Sequence, residues 1–269
     1  MRLGPSPLTK SNFLHARKMY REGMSLGSVL MWPIRSRIGQ PYVFTMRNGV
    51  SFICPQDLNF QLLWKEIWLD EVYGQGEIKI IPQTTIVDVG ANIGLFSIWA
   101  ATRCARGRII AVEPSPRMAH FLRKNIARNH KSIMVLQAAC GGAQGRGALY
   151  TPYGDEARNT LNTLDSNVPA RALPDVEILT LEGLFKRSAI EKCDLLKLDC
   201  EGSEYDILLN SPTSVLDRIR QIVLEYHLGS KESDTPERLN QFLQSHGFKV
   251  CCRPLETPGY GYIYAIRAR

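Results

Sequence analysis

The sequence lacks the patterns that mark disulfide-stabilised, zinc-binding and membrane-spanning chains. Its seven cysteines are odd in number and show no C-x-x-C spacing, so we expect neither a disulfide framework nor a zinc site, and a reducing compartment such as the cytoplasm. The longest uncharged run near the N-terminus, residues 23–34, has twelve residues, which is too short to span a bilayer. No apolar segment with a small-residue cleavage site follows Arg2, so no signal peptide is predicted.

Composition excludes the unusual classes of chain. Of the 269 residues, 44% are hydrophobic and 22% are charged, values close to the averages of soluble globular proteins. Collagen-like, low-complexity and wholly disordered chains are therefore excluded. The length predicts one large domain, or one domain with an appendage.

The positive charge is concentrated at the N-terminal end. The net charge is +7; the first 50 residues hold eight Lys or Arg residues against one Glu, whereas the other 219 residues hold 25 charges of each sign. Such a basic leader suggests contact with an anionic partner. The candidates are a membrane surface reached through residues 1–40, a phosphorylated substrate and a nucleic acid. An ordinary solvated face is the alternative. We therefore expect a cytoplasmic protein, either free or peripheral to a membrane.

Residues 1–80 predict an α+β segment that accompanies a larger domain. Asn48-Gly49 lies between two alternating β-type runs and predicts a hairpin with a type I′ turn. Residues 57–72 then show the apolar periodicity of a helix. Because these residues are too few for a strong core of their own, we expect a basic leader and cap over residues 1–80 and a catalytic domain over residues 81–269.

From residue 81 onward, short apolar strands alternate with helices, which is typical of a parallel α/β sheet with right-handed crossovers. Ser115-Pro116 and Thr235-Pro236 are helix-start signals. A closing antiparallel hairpin is predicted around Pro258-Gly259. The predicted fold is α/β, a doubly wound, mostly parallel, seven-stranded sheet with an antiparallel C-terminal hairpin and an N-terminal α+β cap. The five strands expected before that hairpin are 85–89, 108–112, 133–138, 194–198 and 221–226.

The first of these strands ends in a glycine-rich turn, V-D-V-G-A-N-I-G, which begins at Val87. Gly90 and Gly94 let the chain turn sharply and let its backbone approach a ligand closely. A dinucleotide-binding turn has the pattern G-x-G-x-x-G, in which the middle glycine admits a pyrophosphate. Asn92 occupies that place here, which favours a cofactor without a bridging phosphate.

The second strand ends in a carboxylate, Glu113, 25 residues after Asp88. A carboxylate at this edge of the sheet can accept hydrogen bonds from both hydroxyls of a ribose. The turn and Glu113 together indicate a nucleoside site more strongly than either does by itself. A turn that only packs a helix on a strand is the alternative.

Three segments together resemble the FkbM family of S-adenosylmethionine-dependent methyltransferases, a class I family with a Rossmann-like fold. They are V-D-V-G-A-N-I-G-L-F-S from Val87, L-K-L-D-C-E-G-S-E from Leu196, and V-L-E-Y-H from Val223. The resemblance extends over about residues 81–250. It implies S-adenosylmethionine as cofactor, S-adenosylhomocysteine as product, and methyl transfer, usually to hydroxyl oxygens of sugars and secondary metabolites.

By position, the resemblance implies a set of cofactor-binding residues. The glycine-rich turn would line the cofactor, Glu113 would hold its ribose, and Ala139 after the third strand would face its adenine. Cys140 stands where an acid often follows in such families. The full implied set is Asp88, Gly90, Ala91, Asn92, Gly94, Glu113, Pro114 and Ala139.

Side chains that follow the fourth and fifth strands are the candidates for catalysis. The site of an open parallel sheet lies at the C-terminal edges of its strands, where Asp199, Glu201 and His227 occur. His227 is the first candidate for general base, because an imidazole titrates near neutral pH, and Asp199 is the second. Alternatively, the three side chains hold a divalent metal; their spacing is not diagnostic, so no metal site is assigned. Lys197 and Glu225 are expected to neutralise each other as a buried pair.

We therefore expect an S-adenosylmethionine-dependent O-methyltransferase that acts on a hydroxyl of a sugar, glycolipid or secondary metabolite. The expected partner is a small-molecule or glycan acceptor. An RNA methyltransferase is one alternative, suggested by the basic leader, although the acidic strand edge would repel phosphates and counts against a nucleic-acid partner. A non-catalytic scaffold that keeps the cofactor pocket is another alternative.

Overall fold

The structure is a computed structural model, and it describes residues 20–21, 23–28, 40–56, 58–152, 160–161, 170–227, 229 and 231–268. Contacts within the chain divide it into two units, residues 1–56 and residues 57–269. The sequence places this boundary at residue 80 instead. Segment 57–80 therefore lies in the larger unit and not with the basic leader, whose residues 1–19 are outside the described part of the chain.

The smaller unit contains the predicted hairpin. Its strands β1 (Tyr42–Thr45) and β2 (Ser51–Cys54) pair in antiparallel register. The predicted type I′ turn is wrong, because that turn needs a positive φ at both central residues, and of Asn48 and Gly49 only Gly49 has one, at +87°. The Gly49 amide donates to the carbonyl of Met46 at 3.1 Å. The turn therefore runs from Met46 to Gly49, and Gly49 is its last residue.

The strands of the larger unit fall into two sheets. Within the described residues they are β3 (Thr85–Val89), β4 (Arg108–Val112), β5 (Met134–Leu136), β6 (Ala139–Cys140), β7 (Gly145–Pro152), β8 (Ala170–Leu179), β9 (Leu195–Leu198), β10 (Gln221–Tyr226), β11 (Phe248–Pro254) and β12 (Gly261–Arg267). Seven of them form a sheet in the order β11-β12-β10-β9-β3-β4-β5. Its pairs are parallel except for the two that β12 makes with β10 and β11. The predicted doubly wound sheet with an antiparallel C-terminal hairpin is confirmed.

Helices connect these strands. They are α1 (Phe60–Trp64), α2 (Leu95–Ala101), α3 (Pro116–Arg128), α4 (Leu181–Arg187), α5 (Glu204–Leu209), α6 (Thr213–Leu216) and α7 (Pro236–Ser245). Both predicted start signals are confirmed: the hydroxyl of Ser115 accepts the Met118 amide of α3, and the hydroxyl of Thr235 accepts the Arg238 amide of α7. Among the residues that the structure describes, no helix has the length and apolar character needed to cross a membrane.

The helix predicted over residues 57–72 is interrupted. Helix α1 has five residues and continues as a π-helical turn, Lys65–Leu69, before a 3-10 turn, Val72–Gly74. Glu71, with a φ of +46°, separates the two turns. A π-helical turn shifts the direction of the side chains that follow it, and here Glu66 and Tyr73 both line the cavity described below.

A second sheet was not predicted, because residues 151–174 show no readable pattern. It has the order β6-β8-β7, with β7 antiparallel to β8 and a bulge between Gly147 and Leu149. Strand β6 follows directly on β5, so this small sheet begins at the C-terminal edge of the large one.

The order of connections reverses in the middle of the large sheet. From β3 the chain passes outward to β4 and β5, and it returns to form β9 on the other side of β3. Strands β3 and β9 are buried along nearly their whole length, so their side chains stabilise the core while their carboxyl ends open a crevice. In open α/β sheets, ligands bind at such a switch point.

Candidate active site

A cavity of about 610 Å³ lies at the switch point, entirely within the larger unit. The loops that follow β3, β4, β9 and β10 line it, together with residues of α1 and of β6. Cavities of about 300–1,000 Å³ are typical of small-molecule and cofactor sites. The predicted location of the site is therefore where the structure has its cavity.

The glycine-rich turn forms one wall of this cavity. Gly90 has a φ of +77°, and a Cβ there would lie 1.8 Å from the carbonyl oxygen of Asp199, so the loops after β3 and β9 approach each other at a distance that excludes any side chain. Asn92 also has a positive φ, +49°, and its side chain accepts the amide of Ile93 at 2.7 Å. The Asn92 side chain is thus used within the turn itself, and Gly90, Ala91 and Asn92 all line the cavity.

Glu113 lies at the end of β4 with its carboxyl group directed into the turn. Its Oε2 accepts the Asn92 amide and its Oε1 accepts the Ser115 amide, both at 2.8 Å. Burial raises the pKa of Glu113 to about 7, against the lowering effect of these two amides. A carboxylate has about four acceptor sites, so Glu113 can hold the turn and still accept hydroxyl groups from a ligand in the cavity.

The opposite wall is apolar. Ala138 and Ala139, Cys140, Leu149 and Leu161 line it. The flat faces of an aromatic ring such as adenine suit a surface of this kind. Ala139 is part of this wall, and its contact with adenine stays a prediction.

Asp88 and Gly94 do not line the cavity. Asp88 is fully buried beneath the turn, where its Oδ1 lies 3.1 Å from Nζ of Lys197 and its Oδ2 accepts the Ser97 hydroxyl. A Cβ at Gly94 would lie 2.7 Å from a methyl group of Leu122, so this glycine allows α2 to pack against α3. Both residues support the turn from behind.

The predicted pairing of Lys197 with Glu225 is wrong. In the register of β3 with β9, Lys197 lies directly opposite Asp88, and Nζ also lies 3.4 Å from Oδ2 of Asp199. Burial disfavours the charge of Lys197, but Asp88 and Asp199 raise the pKa of the ammonium above its usual value. On β10, the residue opposite Lys197 is Val223. Glu225 lies two positions further along that strand and contacts other residues.

Asp199, Glu201 and His227 do come together, as their positions at the strand ends suggest. Nε2 of His227 lies 3.6 Å from Oε2 of Glu201 and 4.0 Å from Oδ1 of Asp199. Burial would raise the pKa of Asp199, but Lys197 and His227 hold it below its ordinary value. Burial would lower the pKa of His227, but Glu204, Glu201 and Asp199 raise it well above its usual value.

Glu204 is a functional candidate that the sequence analysis missed. This fully buried residue of α5 has its Oε1 3.2 Å from Nδ1 of His227, and it also accepts the amides of Cys200 and Gly202. Nδ1 of His227 thus faces Glu204, and the imidazole lines the cavity. The signal in the sequence was the acid of E-G-S-E, three residues after Glu201.

A second group of polar side chains lies beside His227. The hydroxyl of Tyr73 is 2.9 Å from Oδ2 of Asp199 and 3.1 Å from Oε2 of Glu225. Burial and the charge of Asp199 raise the pKa of Glu225 to about 8 and that of Glu66 to about 7. Nothing local in the sequence links Tyr73 or Glu66 to this place, because both come from the segment before β3.

Nine of the predicted site residues line the one cavity. They are Gly90, Ala91, Asn92, Glu113, Pro114, Ala139, Asp199, Glu201 and His227. The cofactor turn and the candidate catalytic residues therefore line the same space; we call the part around Asp199, Glu201 and His227 the acceptor end of the cavity.

Comparison with protein families agrees with this arrangement. Residues 88–250, more than half of the chain, match the model of the methyltransferase FkbM domain. The chain belongs to the FkbM methyltransferase family. S-Adenosylmethionine is the cofactor of this family, so the predicted family and cofactor are confirmed.

The individual relatives described next each share less than 30% sequence identity with this chain. The chain is 29% identical to the AMB antimetabolite synthetase AmbE of Pseudomonas aeruginosa over 77% of its own length, but the match spans only 12% of AmbE. It is 28% identical to the 31-O-demethyl-FK506 methyltransferase FkbM of Streptomyces tacrolimicus, over 76% of the chain and 87% of that protein. A solved structure of the FkbM methyltransferase from Methylobacillus flagellatus aligns with a TM-score of 0.50 at 14% identity, over 95% of this chain and 59% of that one. The structural likeness shows the fold alone.

The residues present fit S-adenosylmethionine. Glu113 is a buried acceptor at the position suited to ribose hydroxyls, the Gly90 backbone has no room for a side chain, and the wall around Ala139 is apolar. Asn92 in place of the middle glycine agrees with a cofactor that has no pyrophosphate.

Proposed function

We propose that the chain transfers the methyl group of S-adenosylmethionine to a hydroxyl oxygen of a sugar, glycolipid or secondary metabolite. The observation that carries the proposal is the single cavity that joins the cofactor turn to Asp199, Glu201 and His227. When bound, the cofactor supplies a methyl group activated by its sulfonium. The protein's own contribution is to align an acceptor with that methyl group and to receive the proton that the acceptor loses.

The acceptor end has the chemistry that an alcohol requires. The carboxylates of Asp199, Glu201 and Glu225 accept hydrogen bonds from hydroxyl groups, and Nε2 of His227 faces the same space. Leu62, Leu63 and Leu255 line the cavity as well, which suits the carbon skeleton of a small molecule. The name of the relative from Streptomyces tacrolimicus states a methyltransferase that acts on a 31-O-demethyl compound, which supports an oxygen acceptor.

A nucleic-acid acceptor is disfavoured by the charge of this end of the cavity. Glu66, Asp199, Glu201 and Glu225 line it, and the ammonium of Lys197 already lies between Asp88 and Asp199. Lys197 is the one lysine or arginine among the described residues that line the cavity, so no free lysine or arginine is present there to bind a phosphate.

The function is tested by incubating the purified chain with methyl-labelled S-adenosylmethionine and an extract of the source cells. The extract is then separated into lipid, small-molecule, RNA and protein fractions. We expect label in the lipid or small-molecule fraction, as a methyl ether by mass spectrometry and NMR. Label confined to RNA or protein would overturn the proposed acceptor class.

A variant separates catalysis from a scaffold role. His227→Ala is expected to lower the labelling rate about 100-fold or more, because the acceptor loses a side chain that positions it, while affinity for S-adenosylmethionine changes less than twofold. Absence of label with the wild-type chain and with the variant alike, at intact cofactor affinity, would favour the non-catalytic scaffold.

A further inference from the structure

Three potential ligand atoms converge at the acceptor end of the cavity. Asp199, Glu201 and His227 each direct one such atom toward the others, and these atoms all lie within 4.8 Å of one another. Nε2 of His227 is 3.6 Å from Glu201 Oε2 and 4.0 Å from Asp199 Oδ1, too far for hydrogen bonds. In an octahedral site with bonds of about 2.05 Å, adjacent ligands are about 2.9 Å apart and opposite ones about 4.1 Å apart. One divalent cation would bridge atoms at these spacings.

The position of the imidazole nitrogen agrees with a ligand at this place. The side chain of His227 is 8% exposed and lines the cavity, and within the described part of the chain no group lies within hydrogen-bond distance of Nε2. The carboxyl oxygens nearest to Nε2 belong to Glu201, Asp199 and Glu225, at 3.6–4.0 Å. A ligand of Nε2 would therefore lie among these acids.

Two of the three side chains are held by groups outside the cluster. Oε1 of Glu204 lies 3.2 Å from Nδ1 of His227, and metal-binding histidines almost always have their second nitrogen beside a carboxylate or carbonyl in this way. Tyr73 and Lys197 both contact Oδ2 of Asp199, whereas Oδ1 is the oxygen nearest to His227. Contacts within the protein thus orient His227 and Asp199.

We propose that Asp199, Glu201 and His227 bind one divalent cation of the Mg²⁺ or Mn²⁺ type, which holds the acceptor's hydroxyl oxygen. The inference rests on the proposed methyl transfer and assigns His227 as a ligand in place of the general base expected from the sequence. Two carboxylates and one imidazole leave positions open for water and for the acceptor, as oxygen-preferring cations require.

The proton of the acceptor passes to water at an open position of the site and then to solvent, so no side chain has to keep it. The hydroxyl oxygen forms a bond to the methyl carbon, and the carbon–sulfur bond breaks with its electron pair left on sulfur. The products are the methyl ether, a solvated proton and neutral S-adenosylhomocysteine.

Binding of Mn²⁺ alone to the chelator-treated, full-length chain tests the site without any acceptor. We expect one Mn²⁺ per chain, displaced by Mg²⁺, with a nitrogen coupling in pulsed electron paramagnetic resonance that is lost in His227→Asn. Affinity should fall at least tenfold in Asp199→Asn and in Glu201→Gln, and 10–100-fold in Glu204→Gln, the range for loss of such a supporting carboxylate. The exposed control Glu182→Gln should bind Mn²⁺ like the wild type.

Thermal melting and cofactor titration of each variant exclude misfolding as the cause of lost binding. Lack of saturable Mn²⁺ binding by the wild type overturns the proposal, and so does binding of unchanged affinity in Glu201→Gln and His227→Asn. Full-rate labelling of the extract after metal removal would overturn the cation site and leave the methyl transfer standing. Mn²⁺ binding as expected, with no fraction labelled, would support the cation site and overturn the proposed function.

Discussion

The hydroxyl of Tyr73 lies 2.9 Å from Oδ2 of Asp199, although 126 positions separate the two residues. The contact connects the segment before β3 with the end of β9. It also connects two acids, because the same hydroxyl is 3.1 Å from Glu225. Segment 57–80, which the sequence assigns to a cap, thus contributes directly to the acceptor end of the cavity.

Tyr73→Phe should lower turnover by about 10–100-fold, because a hydrogen bond to a charged group is worth about 1.5–3 kcal/mol. Affinity for S-adenosylmethionine should change less than twofold, since the hydroxyl of Tyr73 contacts Asp199 and Glu225 and not the cofactor turn. Initial rates with the acceptor identified by labelling, beside calorimetry with the cofactor, measure both quantities. Tyr150→Phe, outside the cavity, is the matched control; equal losses in the two variants would remove the special role of Tyr73.

Glu113→Ala should weaken S-adenosylmethionine binding by about 1–3 kcal/mol, because the ribose hydroxyls lose their acceptor. Isothermal titration calorimetry measures the change, and Glu182→Ala, on the exposed side of α4, is the control. Unaltered affinity in Glu113→Ala would show that the ribose binds elsewhere.

Cofactor binding should also depend on pH through Glu113. Its pKa of about 7 means that the free protein carries a protonated carboxyl below that pH and a carboxylate above it. Ribose hydroxyls donate to the carboxylate, so affinity should rise with pH, by about tenfold between pH 6 and pH 8 if only the ionised form binds. The Glu113→Gln side chain cannot ionise, so its affinity for S-adenosylmethionine should not change between these pH values. If the affinity of this variant still rises with pH, the group that titrates is another residue.

Lys197→Met should reduce the free energy of unfolding by about 3–5 kcal/mol, the usual cost of removing one partner from a buried ion pair. The substitution leaves Asp88 fully buried without its cation. Urea denaturation followed by circular dichroism checks the value, with exposed Lys192→Met as the comparison. A loss below about 1 kcal/mol would mean that this ion pair does not stabilise the fold.

The sequence predicted the bounds of β3, β4 and β10 correctly, because buried parallel strands are short apolar runs between turn residues. Glu113 and the glycine turn could be found for the same reason: their places are set by local sequence. Tyr73 and Glu204 could not, since each acts through a partner brought near by tertiary packing. Lys197 was assigned to the wrong acid, because strand register, which places Asp88 opposite it, does not follow from the sequence of either strand.

The ammonium of Lys197 donates to the carbonyl of Gly90 at 3.0 Å and lies 3.4 Å from Oδ2 of Asp199. One buried side chain therefore fixes how far the cofactor turn stands from the acceptor cluster. Misplacement of reacting groups by about 1 Å can slow a reaction about 100-fold. A fixed span of this kind selects acceptors by reach: a hydroxyl that projects too little or too far from its carbon skeleton misses the methyl group, whatever the remainder of the molecule offers.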